Sequence, residues 1–246
     1  MLLIGSVFLD HPRSLYWYSL QTKYLSRTTS NYSHVVYLNG RDDFYFSSTV
    51  IKVTGDPAPR SAEQHCEGLN YILDYFNAHL EYESLLILDS DAFPFRPWQY
   101  NLFNSMGKFD IAAVVRGENL DTFAHPSVFF IRQRSPGLKF GLFPQRSLLG
   151  NISYDSSCNL TSFYPLVRSN RVNIHPLMCG LYGDFYHHGA GSRPAYFRLS
   201  EYHLFPNPTP DEERQIFARL CADPDNFIND MSWVKNDVYS KRKIYL

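Results

Sequence analysis

The chain has only four cysteines in 246 residues, Cys66, Cys158, Cys179 and Cys221, and no two of them stand in CxxC spacing. That pattern excludes a zinc knuckle and a dense disulfide framework, and it reads as free thiols of a reducing compartment. An excess of either charge is missing too. Lys and Arg number 23 against 24 Asp and Glu, a net charge of -1, so nothing draws the chain toward nucleic acid or an anionic membrane. The longest basic run, Lys241-Arg242-Lys243, is short and reads as a solvated tail. Long apolar runs are absent: residues 1–9 are too few to cross a bilayer, and His11 and Arg13 follow at once. The same stretch lacks a basic n-region and a small-residue cleavage site. The expectation is a soluble, cytoplasmic protein with no transmembrane segment, in which the sequons at Asn31, Asn151 and Asn159 carry no glycan. No internal repeat or linker divides residues 1–246, which are read as one domain. Aromatics are what the chain has in plenty, with 18 Tyr and 19 Phe; they fill cores and also stack on sugars and bases.

The first half alternates short apolar runs with longer helical patterns, which predicts βαβ units around a mostly parallel sheet. Strands are expected at residues 2–9, 34–38, 49–53 and 84–88, and helices at 12–25 and 59–80. In the second helix Ser61 is the expected N-cap, and Leu69, Ile72, Leu73 and Phe76 form one apolar stripe. Residues 110–115 and 127–131 read as two further strands, with His125-Pro126-Ser127 leading into the second. Residues 137–163 are rich in Gly, Ser, Asn and Pro and yield no element. A strand is expected within 168–193, and a last helix near 211–220.

The strongest chemical signal is Leu85-Leu86-Ile87-Leu88-Asp89-Ser90-Asp91. In extended geometry Asp89 and Asp91 project to one side while Ser90 points away. They stand at the carboxyl end of a buried strand, where open α/β sheets bind ligands. Two carboxylates held together repel unless a cation lies between them. Oxygen ligands suit Mg²⁺ or Mn²⁺, and an added imidazole favours Mn²⁺. The second signal is His187-His188-Gly189-Ala190-Gly191-Ser192-Arg193-Pro194. Its glycines permit close backbone approach to phosphate, and Arg193 offers a bidentate fork. Neighbouring histidines on an extended stretch face opposite ways, so one of the two is expected to bind.

The Asp89-Ser90-Asp91 segment resembles the DxD motif of GT-A fold glycosyltransferases, the nucleotide-diphospho-sugar transferases. Residues 63–70 resemble the helix that such enzymes carry before the DxD strand. His188-x-x-Gly191-x-Arg193-Pro194 is similar to the HxxGxxKP segment of glycogenin-like members, one residue shorter and with Arg for Lys. The resemblance spans roughly residues 1–193. It implies an α/β GT-A fold, Rossmann-like, with a central mostly parallel mixed sheet flanked by helices. Residues 1–95 would form the nucleotide-binding half, 96–205 the acceptor and metal half, and 206–246 a helical tail. It further implies Asp89, Asp91 and His188 as metal ligands, with His187 the competitor of His188. Arg193 would meet the diphosphate, Ser90 the ribose region, and Phe8, Asp10, Arg60, His65 and Asn70 the base and ribose. Arg116, with Glu118 and Asn119, would face the donor sugar.

Transfer to a hydroxyl with inversion needs a base, and a carboxylate is the usual choice. Asp155 is the first candidate, followed by Asp184 and Glu118. The implied activity is metal-dependent glycosyl transfer, of hexosyl or pentosyl type. The donor would be a UDP- or GDP-sugar and the acceptor a glycan or glycoconjugate hydroxyl, with no nucleic acid partner. The alternative is a non-catalytic GT-A-like module that binds nucleotide and carbohydrate. A phosphotransferase of the haloacid dehalogenase type also follows an apolar strand with DxD. Phe93 stands where that family has Thr or Val, and Gly183-Asp184 lacks its acidic partner. A sugar nucleotidyltransferase would want a Gly-rich loop after strand one, where this chain has Phe8-Leu9-Asp10-His11-Pro12. Inversion and retention remain open alternatives, as do the donor's sugar and base.

Overall fold

A computed structural model describes residues 1–9, 11–40, 46–54, 62–106, 110–116, 123–134, 137–146, 152–158, 167–168, 180–182, 184–188 and 210–230. In chain order the elements are β1 (Leu2–Leu9), α1 (Ser14–Thr28), β2 (Tyr32–Asn39), β3 (Thr49–Thr54), α2 (Ala62–Ala78), β4 (Ser84–Asp89) and β5 (Ala92–Pro94). There follow α3 (Gln99–Met106), β6 (Ile111–Arg116), β7 (Phe123–Ile131), β8 (Phe140–Arg146), β9 (Ile152–Cys158) and β10 (Val167–Arg168). The last are β11 (Gly180–Tyr182), β12 (Phe185–His187), α4 (Pro210–Ala222) and α5 (Pro224–Asn229).

The central sheet has seven strands in the order β10-β6-β7-β4-β1-β2-β3. All neighbouring pairs are parallel except those made by β7, which runs antiparallel to both β4 and β6. This is the mostly parallel mixed α/β architecture expected, and its cause is visible in β1 and β4. Both are buried along nearly their whole length and are apolar on both faces, as a strand covered on two sides must be.

The alternating side chains of these strands sort into two layers. Leu3, Val7, Leu85 and Ile87 pack with Leu69, Ile72, Leu73 and Phe76 of α2. Ile4, Leu86 and Leu88 pack on the opposite face with Leu25, Trp98 and Phe130. Each such fully buried aliphatic side chain contributes about 2 kcal/mol. Two glycines set how closely α2 seats. A Cβ on Gly5 would stand 2.3 Å from Cγ2 of Ile72, and one on Gly68 2.8 Å from Val7 and Tyr37.

The elements depart from the expectation in three places. Residues 140–146 and 152–158, read as irregular, form the antiparallel pair β8 and β9. Gly141 and Pro144 within β8 obscure the strand pattern, and a two-stranded sheet tolerates them because its outer edges need no ladder bonds. The strand expected at 127–131 begins at Phe123 and carries Pro126 inside it. Pairing with β6 jumps from Phe129 to His125 across the Ala113/Val114 step, so the proline sits in a bulge where no N–H is required. Helices α3 and α5 were not expected. Ser61 lies outside the described residues. Cys66, Cys158 and Cys221 form no disulfide among the described residues. Among the described residues no helix is long and apolar enough to cross a membrane.

Candidate metal centre

Strand β4 stops at Asp89, Ser90 and Asp91 form a turn, and β5 begins at Ala92. The two acids therefore lie across a turn, where an extended continuation of the strand was expected. A second, three-stranded antiparallel sheet, β11-β12-β5, then brings distant chain to this turn. Its register sets Phe185 opposite Pro94, Tyr186 opposite Phe93 and His187 opposite Ala92. Two backbone bonds extend the pairing: the N–H of His188 donates to the carbonyl of Asp91 at 3.1 Å, and that of Phe95 to the carbonyl of Asp184 at 3.0 Å.

His187 thereby reaches both acids. Its Nε2 lies 3.4 Å from Oδ2 of Asp89 and 3.4 Å from Oδ1 of Asp91. One donor atom from each of the three residues falls within 4.8 Å of the others. The centre is largely closed to solvent, with Asp89 14% and Asp91 6% exposed at the side chain. Burial pushes the Asp89 carboxyl up, but His187 and His65 beside it outweigh that and hold it well below the ordinary carboxylate range. Asp91 is likewise raised by burial and by Asp89, and brought below its ordinary value by His187. Both are therefore carboxylates at neutral pH.

The donor set fits a divalent cation. Oδ1 of Asp89 is buried with no hydrogen bond of good geometry, Nε2 of His65 standing 3.3 Å away, and a cation between the acids would complete its surroundings. Two carboxylates and one imidazole are ligands for Mg²⁺ or Mn²⁺, the imidazole favouring Mn²⁺.

The histidine in this cluster is His187, where the resemblance pointed to His188; that is a correction. Alternation along β12 decides it. His188 falls on the other side, fully buried, its ring 4.8 Å from Trp17 and 5.8 Å from Phe217 between centroids. Its Nδ1 bonds the Tyr186 hydroxyl at 2.8 Å. Aligning the segment on a motif one residue longer misplaces the register by one, which in a strand swaps the two faces.

The remaining expected residues divide. His65, on α2, comes to the centre itself: Nε2 lies 3.3 Å from Oδ1 of Asp89, and Nδ1 bonds the Ser156 hydroxyl at 2.7 Å. Ser90 is half-buried in the turn between the acids. Asn70 is occupied elsewhere, its amide donating to the carbonyl of Phe140 and accepting from the same residue's N–H, both at 2.9 Å. Asn70 thus docks β8 on α2, a correction to its assignment as a nucleotide contact. Phe8 is fully buried among Tyr18, Phe46 and the aromatic core, with no face to offer a base, which is a second such correction. Asp184 is met by Arg96 at 3.1 Å and by Asn101 at 3.2 Å. Asp155 stands in β9 opposite Phe143, and Arg116 in β6 opposite Phe123, with their side chains not among those described. Asp10, Arg60, Glu118, Asn119 and Arg193 lie outside the described residues.

Two participants escaped the sequence. His125 lies at the edge of the centre, its ring 5.9 Å from that of His187. Gln21 is fully buried behind the acidic turn. The available signal was position: a glutamine four residues after Trp17 and four before Leu25, on the apolar stripe of α1.

No protein-family profile and no curated protein matches the chain. Among solved structures it is similar to the galactosyltransferase LgtC in complex with donor and acceptor sugar analogues, at TM-score 0.37 and 11% identity over 54% of this chain and 58% of that one. An active-site mutant of LgtC gives TM-score 0.38 and 10% identity over 54% of this chain and 57% of that one. A glycosyltransferase involved in glycosylation of the major capsid of PBCV-1 gives TM-score 0.32 and 13% identity over 53% of this chain and 60% of that one. The chain thus spans less than two thirds of the length of each of these glycosyltransferases.

Proposed function

We propose that the protein is a metal-dependent glycosyltransferase. It would move a sugar from a UDP- or GDP-sugar to a hydroxyl of a glycan or glycoconjugate. The observation that carries this reading is the convergence of Asp89, Asp91 and His187 at the carboxyl end of β4. Such a centre stands where an open α/β sheet presents ligands. Its two carboxylates, with donor atoms within 4.8 Å of each other, repel unless positive charge stands between them.

In this scheme Asp89, Asp91 and His187 hold Mn²⁺ or Mg²⁺, which when bound supplies positive charge against a departing nucleoside diphosphate. The chain's own groups do the rest. His65 stands beside Asp89 and keeps its carboxylate ionised. Ser90, between the two acids, faces the ribose region. Arg193 supports the diphosphate, Arg116 meets the donor sugar, and Asp155 takes the proton of the acceptor hydroxyl if the anomeric centre inverts.

Calorimetric titration of UDP and of GDP, each with and without Mn²⁺, tests the scheme. Binding of one nucleotide that requires the metal is the expected result. Failure of folded protein to bind either would remove the donor site. Asp91→Asn is expected to abolish metal-dependent binding and transfer while leaving the circular dichroism spectrum intact, and full retained transfer would sink the scheme. Metal-dependent binding without transfer to any acceptor or to water would identify a non-catalytic module instead.

A further inference from the structure

The acidic turn is supported from behind by one side chain. Gln21 of α1 is fully buried, and its amide nitrogen donates to the carbonyl of Asp89 at 3.0 Å and to the carbonyl of Ala92 at 2.7 Å. These two carbonyls bracket Ser90 and Asp91. β7 stops pairing with β4 at Leu88, so the backbone leaves the ladder on that side at the residue where the first ligand stands. A buried carbonyl without a partner is costly, and Gln21 satisfies one at each end of the turn.

The orientation of the amide is itself fixed. Oε1 of Gln21 accepts from the Ser6 hydroxyl at 2.8 Å, which leaves both amide hydrogens for the two carbonyls. The Ser6 oxygen in turn lies 3.3 Å from Nε2 of His34, whose Nδ1 lies 2.9 Å from the Ser48 hydroxyl. Since the single Ser6 hydrogen goes to Gln21, Nε2 of His34 carries a hydrogen and donates to Ser6. Every polar atom of the Gln21 amide is thus assigned, in a chain running from β2 through β1 and α1 to the turn.

We infer that Gln21 is a positioning residue of the metal centre. It fixes the separation of Asp89 and Asp91 by holding the carbonyls on either side of the turn, and Ser6 fixes the orientation of its amide. The inference rests on the reading of the Asp89, Asp91 and His187 cluster as a metal site. A side chain that merely filled the core would be replaceable by methionine, which has similar length and no donors. One that positions ligands is not.

The test compares Gln21→Met, Ser6→Ala and Phe76→Leu with the unaltered chain. Phe76→Leu loosens the α2 layer, far from the turn, and serves as the control for general destabilisation. Free Mn²⁺ is titrated by electron paramagnetic resonance in the presence of whichever of UDP or GDP the unaltered chain retains. Amide exchange is measured over residues 89–94 without metal. Gln21→Met is expected to weaken Mn²⁺ binding about tenfold or more, the scale of an outer-shell loss, and to speed exchange selectively at 89–94. Ser6→Ala is expected to do both to a lesser degree, and it carries the test should Gln21→Met fail to fold. Phe76→Leu should lower the melting temperature with Mn²⁺ affinity unchanged. Unaltered Mn²⁺ affinity in Gln21→Met overturns the inference. If the unaltered chain binds no Mn²⁺, the metal reading fails instead. Exchange then decides the role of Gln21: selective acceleration upholds its grip on the turn, and unchanged exchange refutes it.

Discussion

His187 and His188 share a peptide bond and almost nothing else. The first has its Nε2 3.4 Å from each of two carboxylates. The second is enclosed by Trp17, Phe217 and the Tyr186 hydroxyl. The main chain of β12 separates the acidic turn and the Trp98 layer from the layer of Trp17, Phe93 and Phe227. Phe185, on the His187 side, packs on Trp98, while Tyr186, on the His188 side, packs on Phe93 and Phe227. Surroundings at this strand are a matter of parity: the same residue type meets the acids or is packed among rings according to whether its number is odd or even.

Truncating the two histidines separately should break the comparison most sharply. His187→Ala is expected to cost Mn²⁺ affinity more than the roughly 10–100-fold of an outer-shell change, and to lower the melting temperature as well, because it takes away a partner that holds the buried Asp89 and Asp91 ionised. His188→Ala is expected to lower unfolding free energy by about 3 kcal/mol, as for loss of a buried ring, with Mn²⁺ affinity retained. Equal loss of Mn²⁺ affinity in both would show that the two faces are not independent.

A third histidine sharpens the contrast by showing burial without acids. Burial alone pushes His34 down to about 4, so folding holds it neutral while the unfolded chain takes up a proton near the ordinary value of about 6.5. Stability from this source is present in full above that value and is lost as pH falls toward 4. The expected loss is on the order of 3 kcal/mol. Urea unfolding at pH 7, 5.5 and 4.5 should show this slope in the native chain and a shallower one in His34→Gln. Parallel slopes would remove His34 as the source.

The smallest expected effect is that of Tyr186→Phe, which deletes the bond to His188 and keeps the ring. It should cost about 1 kcal/mol and leave Mn²⁺ affinity as it was. A change in metal binding would mean that the Tyr186 hydroxyl acts across the strand.

What the sequence made legible was whatever depends on local periodicity. The apolar run ending at Asp89, the stripe Leu69, Ile72, Leu73 and Phe76, and the parallel arrangement of β1, β2 and β4 all follow from neighbours in the chain. The acidic pair was legible for the same reason. The choice between His187 and His188 was not, because it depends on the register of β12 against β5, a pairing between distant segments. The role of Gln21 was hidden similarly: its partners are the carbonyls of Asp89 and Ala92, and no composition rule points to a backbone acceptor in another element. Asn70 shows the same limit, because a polar residue near a site looks the same in sequence whether it meets a ligand or docks a strand.

The β5 and β12 pairing also has a consequence in time. During synthesis the acids at 89 and 91 leave the ribosome well before His187, and at about 5–20 residues per second the interval is roughly 5–20 s. Throughout it the nascent chain carries the acidic turn without His187. On the proposed metal reading, capture of a cation by all three donors waits until the later segment has folded back along Ala92, Phe93 and Pro94. The three-residue cluster is thus completed by a strand that lies far along the chain from the acids.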